Sequence, residues 1–370
     1  MRRLIITLCT LIMTLSIALS GCSCSNTSPL SFNTDFAGGG ANTTDLPASY
    51  KEVSTYTVSY NPSYNASLKL DDSLEGKIEL DYNGTFVTEF QGDIVTLPDS
   101  VSTDLNYEGD IHYMKTMLDL NVKVNGKEYH DQIFSEVYFY SASQAFQPIY
   151  SNVVQKNTYI SVSAEDSLIN SMQNIYNYQI RYNKENFVCT SKYYKAESED
   201  HEIAQAEIAA VDIYSIDQTK LATLKEDVTT EYTSKQAIDN VELLFAIRNV
   251  TIKAEANYTL PTVSPSYTEP KSLTINNASE STVSIPSIKY NGTTYENVTV
   301  PVKNLTFVIG GTKNVGTPQN VTVQKAQSET FPHFNALLIE YAESLSEIGS
   351  FSPLGALVYK LNSVEVIGLN

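Results

Sequence analysis

The chain has 370 residues, with 24 basic and 42 acidic side chains and a formal net charge of −18. Its 42% apolar content is too high for a disordered chain, and its length suits one large or two average domains. Proteins that bind nucleic acid contact phosphates through clustered Lys and Arg, so this acidity argues against nucleic acid as a partner. The sequence indicates where the protein resides more clearly than what it does.

The first 22 residues carry the most specific signal. Two arginines precede a mostly apolar stretch over residues 4–19, which is short for a permanent membrane span. The order of basic, apolar and small residues is typical of a secretory signal. The tetrapeptide Leu19-Ser20-Gly21-Cys22 resembles the lipobox of bacterial lipoproteins.

This resemblance implies that residues 1–21 are removed as a signal peptide and that the Cys22 thiol is diacylated. Two acyl chains hold a protein stably on a bilayer, so we expect an extracytoplasmic protein with the membrane as its partner through the lipid. Residues 22–49 comprise the lipidated cysteine and a polar, Gly-rich tether. The alternative is an ordinary signal peptide cleaved nearby, which would leave Cys22 and Cys24 as secreted thiols.

After the tether, apolar and polar residues alternate with a period of two, which is typical of half-buried strands. Asn-Gly pairs begin at 83, 125 and 291, and a polar turn covers 183–186. Asn-Gly between alternating segments is a strong hairpin signal. The sequence therefore predicts a mainly β protein of antiparallel hairpins and meanders with a few short helices.

Two of the hairpins match beyond the turn. Lys123–Tyr129 resembles Lys289–Tyr295, and a Val-Gln-Lys follows each, at 154–156 and 323–325. Either the chain contains two tandem related β domains, or turn chemistry and chance explain the match. On the first view, residues 50–200 form one β-rich domain, 201–240 a short helical connector and 241–370 a second β-rich domain.

Three segments have helical spacing. Asp217 is the predicted cap of one helix and Ser234 of another, and a third is predicted over 165–175. The apolar residues of the first two are Leu221, Leu224 and Val228, and then Ile238, Val241 and Phe245. Strands and helices do not alternate regularly, which argues against a doubly wound parallel fold.

The four histidines do not predict a metal site. A turn at Asn125 and Gly126 places His130 opposite Asn121 and His112 opposite Phe139. The two imidazoles are then about 30 Å apart and point to opposite faces, since a strand rises ~3.3 Å per residue. His201 lies in an acidic run over 197–202, most simply a solvated loop, and His333 in a turn.

No known catalytic or cofactor-binding motif occurs in the sequence. The segment from Asp71 to Ile78 resembles the start of a calcium-binding loop, but Tyr82 occupies the position of the required glutamate. We therefore expect no catalytic residues, no cofactor and no metal. A carboxylate dyad would leave no spacing signature.

Tyrosine is the most unusual feature of the composition, with 25 Tyr and no Trp. On one predicted strand Tyr176, Tyr178 and Tyr182 form a stripe. The stripe is either a contact surface for a ligand or a set of half-buried strand residues. Three functions remain open: a non-enzymatic lipoprotein that binds a ligand or forms part of the envelope, a carrier of lipid or another hydrophobic ligand, and an enzyme with an unrecognised carboxylate site.

Overall fold

The computed structural model describes residues 28–29, 50–63, 78–92, 97, 101, 111–140, 146–162, 169–183, 186–224, 228–231, 238–246, 258–263, 271–309, 319–324, 337–344 and 355–368. Within these ranges the strands are β1 Ser28–Pro29, β2 Lys51–Asn61, β3 Leu80–Gln91, β4 Ile111–Val124, β5 Lys127–Tyr140, β6 Pro148–Val162, β7 Ile169–Tyr182, β8 Asn186–Tyr194, β9 Leu221–Thr223, β10 Val228–Glu231, β11 Ile238–Asp239, β12 Tyr258–Val263, β13 Lys271–Tyr290, β14 Thr293–Ile309, β15 Gln319–Gln324, β16 Leu338–Ser344 and β17 Ala356–Ile367. Helix α1 covers His201–Ala210 and α2 covers Asn240–Ala246, with 3₁₀ turns at Ile213–Ser215 and Gln218–Lys220.

The mainly β class with antiparallel hairpins is confirmed. Strands β2 to β8 form a meander in which each strand pairs antiparallel with the next. The predicted register of β4 and β5 is also confirmed, with His130 opposite Asn121 and His112 opposite Phe139. In the described part of the chain, no helix is both long and apolar enough to cross a bilayer.

The two halves of the sequence contribute to one hydrogen-bonded sheet. Strand β17 pairs antiparallel with β2 along one edge, and its other edge pairs with β16 and, in parallel, with β13. Strands β13 to β17 therefore close into a ring. The predicted domain boundaries near 200 and 241 lie at the start of α1 and within α2, while strands on both sides of each belong to this sheet. The division into two related domains stays a prediction.

Two of the three predicted Asn-Gly turns are present. Asn125 and Gly126 have φ of 48° and 82°, and Asn291 and Gly292 have φ of 47° and 82°, as a type I′ turn requires. The turn predicted at residue 83 is wrong, because Gly84 lies inside β3. A Cβ on Gly84 would lie 2.0 Å from the carbonyl oxygen of Asp119. This glycine therefore permits the close approach of β4.

The helix predicted over 165–175 is wrong where the structure describes it, since Ile169 begins strand β7. Helix α1 covers one face of this strand, where Ile175 meets Ile208. The opposite face carries Tyr182, which contacts the β11–α2 segment through Asp239. A strand buried on both faces loses its period of two, so its apolar spacing resembles that of a helix.

The other helix predictions are partly corrected. Asp217 caps only a 3₁₀ turn, after which Leu221 begins β9 and Val228 begins β10. Ser234 lies outside the described residues, whereas Ile238 belongs to β11 and α2 begins after Asp239.

The solvated loop predicted over 197–202 is wrong at its end. Asp200 caps α1 by accepting hydrogen bonds from the backbone N–H groups of Glu202 and Ile203. The run of acidic residues predicted a solvated segment, although one of its aspartates is also a favourable N-cap residue.

The core contains densely packed aromatic rings, and α2 is buried among them. Phe245 of α2 stacks on Phe90 with ring centroids 4.0 Å apart, and it also contacts Phe139 and Phe146. Tyr341 stacks on Tyr359 at 4.2 Å. Such aromatic pairs stabilise the core by about 0.5–1.5 kcal/mol each beyond area burial.

Helix α1 lies against the outer face of the meander. The Nζ atom of Lys156, on β6, donates hydrogen bonds to the carbonyl oxygens of Ala209 and Val211. A cation at the end of a helix satisfies its last carbonyls and opposes the negative end of its dipole. This contact holds the C-terminal end of α1 on the sheet.

Candidate functional site

A cleft of about 980 Å³ lies between α1 and the outer face of β3 to β5. This volume is at the upper end of the roughly 300–1,000 Å³ typical of small-molecule sites. Its lining side chains come from three strands of the meander, from β7 and from α1. They include Asp81, Asn83, Asn121, Lys123, Lys127, Glu128, His130, Gln173, His201, Glu202, Gln205, Ala206 and Ala209.

The sheet side of the cleft consists of two polar rows that run across the strands. In the first row, Asn83 pairs with Asn121, which pairs with His130. In the second row, Asp81 pairs with Lys123, which pairs with Glu128. Directly opposed residues project from the same face of a sheet, so each row presents its side chains together.

The helix side of the cleft is one stripe of α1, formed by Glu202, Gln205, Ala206 and Ala209, whose spacing of three and four places them together. The two alanines are small and leave space above the sheet. Gln205 fixes the helix, because its side-chain amide accepts a 2.8 Å hydrogen bond from the N–H of Gln173 and donates one to its carbonyl. The cleft is therefore maintained by hydrogen bonds from the helix to β7.

The histidines take three different environments. His130 lines the cleft, is about half exposed, and has its Nε2 atom 2.8 Å from Oδ1 of Asp119. His201 also lines the cleft as the first residue of α1. His112 is buried between Phe90 and Phe139, with Nδ1 3.1 Å from the carbonyl oxygen of Gly92.

Among the described residues, no three His, Cys, Asp or Glu side chains are arranged to bind a metal. His333 and the segment at Asp71 lie outside the described residues.

Behind the cleft lies Asp131, a fully buried carboxylate. The pairing of β5 with β6 ends at Gln132 and Lys156, and Asp131 occupies the gap beyond it. Its carboxylate accepts hydrogen bonds from the backbone N–H of Thr158 at 2.8 Å, from the Thr158 hydroxyl at 2.6 Å and from Nε2 of Gln173 at 2.8 Å. Burial raises the pKa of Asp131 to about 6, although these bonds and the charge of Lys156 oppose the rise.

Gln173 connects this carboxylate to the cleft. Besides Asp131, its Nε2 atom donates to the carbonyl oxygen of His130 at 2.9 Å. One buried amide thus ties the wall of the cleft to the acid behind it.

A second buried acid lies inside the molecule, at the start of α2. Asp239 accepts hydrogen bonds from the Ser151 hydroxyl at 2.6 Å, from the Tyr182 hydroxyl at 2.5 Å and from the N–H of Val241 at 2.8 Å. Burial raises its pKa, and burial together with the charge of Asp239 raises the pKa of Glu242 well above the usual range. Both carboxyl groups are completely buried, so a ligand in solvent does not reach them.

The three predicted ligand-surface tyrosines share one face of β7, but they do not form one exposed surface. Tyr176 and Tyr178 are half-buried, with ring centroids 6.0 Å apart. Tyr182 is buried, and its hydroxyl donates to Asp239. The proposed surface must therefore be reduced to Tyr176 and Tyr178, because Asp239 of β11 and the apolar cluster with Val263 of β12 enclose Tyr182.

Sequence reasoning missed the cleft. Its polar rows resemble the ordinary solvent face of a sheet, and the loop predicted over 197–202 includes the start of the facing helix. The usable signal was Asp200, a good N-cap, followed by the stripe of Glu202, Gln205, Ala206 and Ala209.

Comparisons with known proteins leave the function open. No protein-family model matches the chain, and no curated protein is similar to it. A solved structure of partly similar fold is a β-barrel-like protein of a domain of unknown function, DUF1849, from Brucella abortus. It is 7% identical, and the alignment covers 87% of this chain and 100% of that chain with a TM-score of 0.45.

Proposed function

We propose that this protein is a lipid-anchored, extracytoplasmic lipoprotein of a bacterial envelope that acts by binding a small polar ligand. The observation that carries the binding role is the cleft, in which polar side chains from three strands converge under a helix that hydrogen bonds hold in place. The anchor is supported by the tetrapeptide that ends at Cys22.

The cleft favours a binding protein for a polar ligand over a carrier of lipid. A carrier of lipid needs an apolar cavity. In the described part of the chain, α2 and the aromatic rings that contact its Phe245 fill the interior instead. For the enzymatic alternative, Asp239 and Glu242 are close carboxyl groups with raised pKa values. They are enclosed, however, so the accessible chemistry lies at the cleft.

The anchor is tested by replacing Cys22 with Ala in the full-length chain expressed in a bacterial host. We expect the variant to move from the membrane fraction to the soluble fraction, because the site of acylation is lost. Cys24→Ala is the matched control and should remain on membranes. Retention of the Cys22 variant in the membrane fraction would contradict the anchor.

The binding role is tested by filling the cleft. Ala206→Trp places an indole on the stripe of α1 that faces the sheet, whereas Ala210→Trp places it on an exposed residue outside the cleft lining. Small molecules that copurify with the native lipoprotein are identified by mass spectrometry. We expect one of them to be lost from the first variant and kept by the second. Identical profiles for both variants would refute a ligand in this cleft.

A further inference from the structure

We infer that the ligand of the cleft is a neutral saccharide, recognised by the row Asn83, Asn121 and His130 beneath the stripe of α1 that lines the cleft. This inference rests on the proposed binding function and specifies the chemical class of the ligand.

The first argument is the type of hydrogen-bonding group in the row. An asparagine amide both donates and accepts, and a neutral imidazole has one donor and one acceptor nitrogen. Sugar hydroxyls likewise donate and accept, so each group can meet a hydroxyl in either direction. Asn121 donates from Nδ2 to Oδ1 of Asn83 at 3.4 Å, which leaves the Asn121 carbonyl and the Asn83 amino group for a ligand.

The second argument concerns the orientation of His130. Its Nε2 atom is held by Asp119 at 2.8 Å. In the neutral ring a hydrogen bond from Nε2–H to a carboxylate fixes the tautomer and makes Nδ1 an acceptor. Asp119 therefore fixes the ring through Nε2 and leaves Nδ1, at the end of the row, as the nitrogen that can form a hydrogen bond with a hydroxyl.

The third argument is the balance of charge. In the second row Lys123 lies between Asp81 and Glu128, and the rest of the lining contributes one cation, Lys127, and one carboxylate, Glu202. Anionic ligands are usually bound by clusters of Arg and Lys that carboxylates do not neutralise. The mixed signs in this lining favour an uncharged ligand.

The test is calorimetric titration of the detergent-solubilised, full-length lipoprotein. The probes are neutral trisaccharides of glucose, galactose and N-acetylglucosamine, a trimer of a uronic acid and an uncharged tetrapeptide. We expect at least one neutral trisaccharide to bind. Asn121→Ala should weaken its binding about tenfold, the factor that corresponds to about 1.4 kcal/mol.

Gln179→Ala is the matched control, because this amide lies on β7 between Asn152 and Thr190, away from the cleft lining. Its affinity should equal that of the wild type. Equal affinity of Asn121→Ala and Gln179→Ala for the sugar would overturn the inference.

The probes also separate this inference from the proposed function. If the tetrapeptide or the uronic acid trimer binds instead, and Asn121→Ala weakens that binding, the saccharide class is wrong and the cleft remains a binding site. If no probe binds while Ala206→Trp still loses a copurifying molecule, the class is again wrong and the binding role stands. If no probe binds and Ala206→Trp changes nothing, both proposals fail.

Discussion

Asp131 and Asp239 are both fully buried carboxylates that accept hydrogen bonds from hydroxyl groups, yet they support different parts of the molecule. Asp131 replaces backbone pairing where β5 and β6 separate, next to the cleft. Asp239 caps α2 inside the core. In both regions an aspartate accepts hydrogen bonds from backbone N–H groups that have no backbone partner. In one region these groups lie at a gap in a sheet, and in the other they lie at the start of a helix.

The two regions also differ in their charged neighbours. The cation of Lys156 lowers the pKa of Asp131, whereas the charge of Asp239 raises the pKa of the neighbouring acid Glu242. Burial raises the pKa in both regions. The comparison shows that the polar neighbours of a buried carboxylate determine how far it can remain ionised at neutral pH.

The largest expected effect is on the core acid. Asp239→Ala removes the cap of α2 and leaves the hydroxyls of Ser151 and Tyr182 without their acceptor. We expect the free energy of unfolding in urea to fall by about 3–5 kcal/mol, as for other broken buried polar networks.

Asp200→Ala provides the matched control, since Asp200 caps α1 in the same way but at an exposed position. This variant should lower the free energy of unfolding by about 1 kcal/mol. Equal losses for the two variants would mean that the contacts of Asp239 with β6 and β7 contribute nothing beyond the cap.

The second effect is a pH dependence at Asp131. Its pKa rises from 3.8 to about 6 on folding. A raised carboxyl pKa means that its contribution is fully present below about pH 4 and is lost as the pH rises through about 6. Compared with Asp131→Asn, the wild type should lose about 3 kcal/mol of stability between pH 3 and pH 7, at about 1.4 kcal/mol per unit of pKa. Urea unfolding across this range measures it, and parallel pH profiles would contradict the shift.

The fold was largely predictable because its signals are local. The alternation of apolar and polar residues and the Asn-Gly turns at 125 and 291 predicted the hairpins. The turn at 125 also predicted the register that places His130 opposite Asn121. Prediction failed at Gly84 and at β7. A glycine required by a neighbouring strand has the same sequence signal as a turn glycine, and a strand covered on both faces has no period of two.

The cleft was not predictable because it depends on contacts between distant segments. Gln173 and Gln205 lie 32 positions apart, and the two hydrogen bonds between the Gln205 side chain and the Gln173 backbone position α1 over the sheet. Nothing in the local pattern of either segment indicates this contact. Likewise, Tyr182 carries the signal of a surface stripe, and only the contact of β7 with Asp239 shows that it is buried.

The smallest effect is expected at Glu242, and it sharpens the contrast between the two buried acids. Burial and the charge of Asp239 raise the pKa of Glu242 and favour its neutral form, and glutamine is close in shape and polarity to a neutral glutamic acid. Below about pH 4, where the carboxyl group is neutral in both the folded and the unfolded chain, Glu242→Gln should therefore change the free energy of unfolding by less than about 1 kcal/mol, within the range of mild substitutions. As the pH rises above about 4.5, the unfolded glutamate ionises while burial opposes ionisation in the folded chain, so the wild type should lose stability relative to the variant. A variant that is less stable than the wild type by several kcal/mol at pH 7 would contradict the raised pKa, and would show that the region around Asp239 resembles the region around Asp131 more closely than its neighbours indicate.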